Sequence, residues 1–186
     1  LRGLIAAEGF EQYLGSQYIG QKRFSLEGAD VMIPMLIAMI EQAAQQGARE
    51  LVFGMAHRGR LNVLANILGK DAKEIFAGFA GQTPALMQGS GDVKYHLGYC
   101  TDILTATRPV HLSLAYNPSH LEIVTPVVQG SVRLKQDRYG DQERRIVIPI
   151  IIHGDAAVAG QGVVMETCSM AQTRSFSVGG SIHLII

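Results

Sequence analysis

Cysteine, charge and long apolar runs are all scarce in this chain, and each scarcity closes off a class of function. Only Cys100 and Cys168 occur among its 186 residues. Two are too few for a disulfide framework, and they lack the CxxC spacing of a zinc or redox site. A reducing, cytoplasmic setting is the expected one. The longest apolar stretch, VMIPMLIAMI at residues 31–40, is about half the ~20 residues that cross a bilayer, and Pro34 interrupts it. No membrane span is expected. Sixteen basic residues balance sixteen acidic ones, so no broad field draws in nucleic acid or an anionic membrane. Any bound anion must be held by local groups. Charged residues make up 17%, below the roughly 25% of average soluble proteins. A subunit interface or an absent half-domain would cover such a surface. An initiator Met and a signal peptide are also lacking, and the final SIHLII is strand-like with no turn after it. Both ends read as cuts inside a longer protein.

What is present is enough apolar sequence, 47%, to build one ordinary core. Residues 4–14 read as a short helix. Ser25 offers an N-cap to a helix at 26–46 that Gly47 stops, with Pro34 either kinking it or marking its true start. ELVFGMA then reads as a buried strand, HRGR as a loop, and LNVLANILG as a helix ending at Gly69. A second short helix is expected at 71–80. Residues 81–98 form a Gly-rich, polar connection too long to be casual. Residues 110–116 are strand-like, and NPSHLE leads into a helix whose early turns Pro126 is expected to distort. A charged turn at 138–145 precedes RIVIPIIIH, a β-branched run typical of a parallel strand buried on both faces, and GDAAVAGQG opens another helix. Strands alternating with helices predict an α/β fold with a mostly parallel sheet flanked by helices. Ligands of such sheets lie beyond the carboxyl ends of the strands, where HRGR, NPSH and HGDAA all fall.

Each polar segment has a plain alternative. GSGDVK at 89–94 lacks the GxxxxGK[ST] spacing of a phosphate loop and follows no strand. Ser119 and His120 are neighbours in NPSH, but no GxSxG elbow accompanies them. His57 lies between Arg58 and Arg60, which disfavours its protonated form unless an anion sits nearby. A solvated loop histidine is the competing reading. Asp155 is either a helix N-cap or a Mg²⁺ ligand whose neighbouring helix N-terminus meets phosphate oxygens. His111 and His183 fall inside apparent strands and read as packed or edge residues, and His120 and His153 border the rim without an assigned chemistry.

Taken together, GMAHRGRLNVL, GDVKYHLG, LAYNPSHLEIVTPVVQGSVR and HGDAAVAGQGVVMET closely resemble the decarboxylating component of 2-oxoglutarate dehydrogenases. RFSLEGAD also fits, so the likeness runs from about Phe24 to the last residue. It implies a thiamine-diphosphate-binding fold, here the diphosphate-binding half: a helical lead-in at 1–23 and a partial domain at 24–186. It also implies thiamine diphosphate held through Mg²⁺ at the interface of a homodimer. The reaction it implies is decarboxylation of 2-oxoglutarate with transfer of the succinyl group to a lipoyl-bearing succinyltransferase component, within the tricarboxylic acid cycle.

By the same resemblance Asp155 is the Mg²⁺ ligand, Ala156 lies near the diphosphate, and Arg58 contacts that diphosphate as a fixed cation. Ser119 and Leu121 line the ring region of the cofactor. His57 and His96 are the histidines around the substrate, able to donate hydrogen bonds and move protons near neutral pH. The family's second Mg²⁺-binding segment, which bears Asn, its domain with the activating Glu, and further histidines are expected beyond these residues, and the isolated piece is expected to bind cofactor poorly and turn nothing over. A relative acting on 2-oxoadipate, or a non-catalytic α/β module holding a structural anion, are the alternatives.

Overall fold

The computed structural model describes residues 1–80 and 95–186. Along the chain these form α1 (Arg2–Gln17), α2 (Met32–Gln45), β1 (Glu50–Met55), α3 (Arg60–Asn66), α4 (Ala72–Phe79), β2 (Tyr99–Leu104) and β3 (Pro109–Leu114). The second half supplies α5 (Val124–Tyr139), β4 (Val147–His153), α6 (Asp155–Gly160), α7 (Gly162–Ala171) and β5 (Ile182–Ile185). The five strands make one sheet in the order β2-β3-β1-β4-β5. β1 pairs in parallel with both β3 and β4, and β4 pairs in parallel with β5; only β2 runs antiparallel, against β3. The sheet is therefore mostly parallel, as the alternation of elements predicts.

Side-chain alternation divides the central strands between two cores. Leu51, Phe53 and Met55 of β1, with Ile150 and Ile152 of β4, face the helices α1 to α4. Val52 and Ile151 face the other way, onto Val124, Val128 and Val132 of α5. Three layers result, and each central strand is buried on both faces, which is why ELVFGM and VIPIIIH carry so few polar positions. The helical lead-in packs into the same core: Ala7 and Leu14 are fully buried, and Glu11 accepts from Asn62 of α3, from Arg23 and from Ser25.

Several expected boundaries move. The helix expected at 26–46 begins only at Met32, because Gly28 adopts a left-handed φ of +86° and Pro34 belongs in a first turn. Ser25 is not its cap; its hydroxyl accepts from the Glu27 amide and donates to Glu11. Gly47 does stop the helix, at φ +101°. Strand β2 is absent from the sequence reading. Its signal was a weak alternation, Tyr99, Thr101 and Ile103 turning inward and Cys100, Asp102 and Leu104 outward, after the long connection. The two cysteines are free and exposed. Among the described residues, no helix is long and apolar enough to cross a membrane.

At Gly54 α5 presses close on the sheet. A Cβ there would stand 2.9 Å from a Val128 methyl and 3.2 Å from one of Ile151. Gly54→Ala is therefore expected to lower unfolding free energy by about 1–3 kcal/mol through overpacking, read by chemical denaturation. Gly130, with open space at its Cβ position, should accept alanine without such a loss.

Candidate active site

Three adjacent parallel strands deliver the polar segments to one rim. His57 and Arg58 follow β1, Asn117 to Leu121 follow β3, and Asp155 and Ala156 follow β4. The connection after β1 leaves toward the face of α3 and α4, while the one after β3 leaves toward the opposite face, with α5. Connections that diverge in this way open a crevice at the carboxyl ends of their strands, the usual ligand position of such sheets.

His57 is ringed by aromatic and polar neighbours in that crevice. Phe24 stacks on its ring at 4.8 Å, Tyr95 approaches edge-on at 6.3 Å, and His96 lies 5.2 Å away, centre to centre. Asn117 makes a long contact, 3.5 Å, to its Nε2, and Ser119 lies 3.3 Å from Nε2 of His96. The backbone reinforces the cluster, since the Asn117 amide donates to the His96 carbonyl and the Gly59 amide to that of Phe24. The Tyr95 hydroxyl donates to the Lys22 carbonyl, and Lys22 lies over the Phe24 ring at 4.6 Å. Four segments distant in sequence thus form one wall.

Burial, first of all, holds His57 below the ordinary imidazole value, aided by the neighbouring His96, Arg60 and Lys22. The two arginines that follow it in sequence behave differently. Arg58 is exposed and donates to the Glu27 carbonyl at 3.0 Å. Arg60 is fully buried and its fork reaches the carbonyls of Met55 (3.3 Å), Leu97 (2.8 Å) and Ala115 (2.6 Å), tying the end of β1 to the backbone beside His96 and Asn117. Burial lowers its own pKa to about 10, so it remains a cation. Its part is to hold the rim together, and a carbonyl-seeking role leaves no mark in sequence beyond its place in HRGR.

Asp155 is exposed at the start of α6, and one of its oxygens accepts from the Ala156 amide at 2.7 Å. Leu121 is 47% exposed, a large apolar side chain turned out at the rim. Ser119 and His120 are exposed as well. Thus His96 meets both His57 and Ser119, whereas Arg58, Leu121, Asp155 and Ala156 share their rim. GSGDVK and Lys94 lie outside the described residues. His111, on the interior strand β3, pairs with Asp102 of the edge strand β2 at 2.7 Å. Phe24, Asn117, Glu122 and Arg60 went unassigned at the level of sequence, although all four lie within the quoted segments.

Fold and rim together define an α/β domain whose polar turns gather at the carboxyl ends of parallel strands, the usual ligand position of such sheets. Residues 3–186 match the family described as Dehydrogenase E1 component, and the chain belongs to that family. It is 54% identical over 183 residues to the 2-oxoglutarate dehydrogenase E1 component of Cupriavidus necator, covering 98% of this chain and 19% of the relative. It is 52% identical over 186 residues to the protein of the same name from Azotobacter vinelandii, covering the whole chain and 20% of the relative. The Multifunctional 2-oxoglutarate metabolism enzyme of Mycolicibacterium vanbaalenii is 51% identical over 192 residues, with the whole chain and 15% of the relative covered. The chain thus spans about a fifth or less of the length of these relatives. The likeness drawn from the quoted segments is borne out and reaches upstream of Phe24, through α1.

A lowered pKa fixes the sign of an acid effect. Unfolded, a histidine takes its proton near pH 6.5; folded, His57 takes it only at lower pH. Its contribution to stability is present above pH 6.5 and is lost as pH falls from there through the folded value. His57→Gln should flatten the acid side of the stability profile. By NMR titration, Arg60→Gln should move the His57 midpoint upward, whereas Arg60→Lys, which keeps the charge, should leave it depressed.

Proposed function

We propose that this chain forms part of the thiamine-diphosphate-dependent decarboxylating component of a 2-oxoglutarate dehydrogenase, and that its rim holds the cofactor's diphosphate and Mg²⁺. The supporting observation is that Arg58, Ser119 and Asp155 follow three adjacent parallel strands at one end of the sheet, next to the His57–His96 pair. The relatives' printed names point to the same substrate.

The donor set suits such a cofactor. Among the described residues no group of three or more His, Cys, Asp or Glu could hold a metal. Magnesium needs none, because one carboxylate, waters and phosphate oxygens complete its shell. Asp155 would supply that carboxylate and Arg58 a fixed positive charge for the diphosphate, both from exposed positions. Ala156 is small enough for backbone to approach a phosphate. Leu121 and Ser119 would border the ring region with apolar bulk and a hydroxyl. When bound, thiamine diphosphate supplies the electron sink for loss of CO₂ from a 2-oxo acid.

The chain's own chemistry lies with the histidines. His57, kept neutral at physiological pH by burial and neighbouring cations, can accept a proton or donate a hydrogen bond to a substrate carboxylate or keto oxygen. His96 stands beside it with Ser119 at its Nε2. Phe24 and Tyr95 shield one side of the pair and limit water there. In the full protein the succinyl group passes to a lipoyl-bearing succinyltransferase component within the tricarboxylic acid cycle, in a homodimer of the bacterial cytoplasm. Residues 24–186 then form the cofactor-binding unit, and 1–23 its lead-in.

The full-length protein should decarboxylate 2-oxoglutarate only with thiamine diphosphate and Mg²⁺ present. Retained activity after exhaustive removal of both would refute the reading. His57→Ala should lower kcat about 10²–10⁴-fold, the usual scale of general acid–base loss. Asp155→Ala should weaken Mg²⁺-dependent cofactor binding, measured by calorimetry. Comparing kcat/KM for 2-oxoglutarate and 2-oxoadipate assigns the acid, since one methylene changes binding by about 1–3 kcal/mol.

A further inference from the structure

We propose that Glu122, His153 and His183 form a buried hydrogen-bonded brace that positions the Ser119–Leu121 turn against Asp155, so that two cofactor-contacting loops keep one separation. The inference rests on the functional reading above and deepens it: Glu122 and His153 are positioning residues for a diphosphate-bearing cofactor and its metal.

The three side chains come from three segments. Glu122 ends the turn that carries Ser119 and Leu121, His153 ends β4 two residues before Asp155, and His183 lies in β5. Nδ1 of His153 lies 2.6 Å from Oε2 of Glu122, and its Nε2 lies 2.7 Å from Nδ1 of His183. A carboxylate only accepts, so His153 donates through Nδ1. The Thr125 hydroxyl donates to the same Glu122 oxygen at 3.3 Å. His153 is 0% exposed and Glu122 6%.

Stability alone is a poor reason for this arrangement. Burying a carboxylate against imidazoles carries a desolvation cost that well-packed apolar side chains of like volume avoid. Glu122 also sits at φ +67°, a left-handed conformation uncommon for a residue with a Cβ. Such strain persists where the surroundings over-determine it, typically at ligand sites. Here the strained residue directs its carboxylate inward to His153, while the adjacent Leu121 is turned out at the rim. The backbone agrees with the side chains: the Ile186 amide donates to the His153 carbonyl at 3.0 Å and the Ala56 amide to that of Ile152 at 3.1 Å, fixing the end of β4 from both sides. What remains to be located against that fixed point is the turn after β3, and the Glu122–His153 bond does this.

The test uses the full-length protein and two isosteric changes of one residue. In His153→Asn the amide nitrogen takes the place of Nδ1 and keeps the bond to Glu122; in His153→Gln it takes the place of Nε2 and loses it. Dissociation constants for thiamine diphosphate with Mg²⁺, by calorimetry, are compared with melting temperatures. His153→Gln should weaken cofactor binding about 10–100-fold, as loss of partners behind ligand-holding groups does, and His153→Asn should recover most of that loss. Should His153→Gln fold poorly, Glu122→Met, which keeps the length and gives up the acceptor, carries the same expectation. Equal affinities in wild type and His153→Gln, or equal losses in the Asn and Gln variants, would overturn the brace. Wild-type protein that fails to bind thiamine diphosphate at all would instead overturn the functional reading, and the brace's ligand with it.

Discussion

Parallel pairing on both sides of β1 is the constraint from which the rest of this architecture follows. Strands that run the same way end at the same rim, so the turns after β3, β1 and β4 emerge side by side. Parallel neighbours also need crossover connections, and a right-handed crossover packs on opposite faces according to whether the chain moves left or right along the sheet. From β1 the chain moves through α3, α4 and the edge strand β2 to β3; from β3 it returns past β1 to β4 through α5. The reversal puts the two helix sets on opposite faces and leaves the crevice between their loops.

A rim assembled from loops needs fastening, and here the fastening is polar and buried. Arg60 gathers three carbonyls from β1, the segment before β2 and the end of β3. Glu11 gathers α3 and the segment bearing Phe24. Glu122 and His153 join the turn after β3 to the end of β4. Apolar packing would place the sheet and helices as well or better, but it is non-directional, whereas hydrogen bonds to fixed acceptors set the orientation of a backbone. The side chains left exposed at the rim, Arg58, Leu121 and Asp155, are then presented on a rigid edge.

The histidine pair shows why charge counting along a sequence misleads. HRGR reads as a double cation flanking an imidazole, yet one guanidinium is spent on backbone carbonyls in the core and the other reaches back to Glu27. His57 is held neutral mainly by burial under Phe24 and its neighbours, with the cations in support.

The sequence by itself determined the fold class, the position of four of the five strands and the family. Continuous β-branched runs admit few structures other than doubly covered parallel strands, and segments as long as LAYNPSHLEIVTPVVQGSVR do not recur by chance. It also marked the residues of the candidate site, because polar turns at strand ends stand out against apolar runs. Tertiary structure alone decided which of these meet. Contact between His57 and Asn117, or His153 and Glu122, depends on strand order and register, set by pairings tens of residues apart, and no local pattern encodes them. Strand β2 was invisible for a related reason: at a sheet edge its alternation is shallow, and its partner β3 supplies the order that its own residues do not.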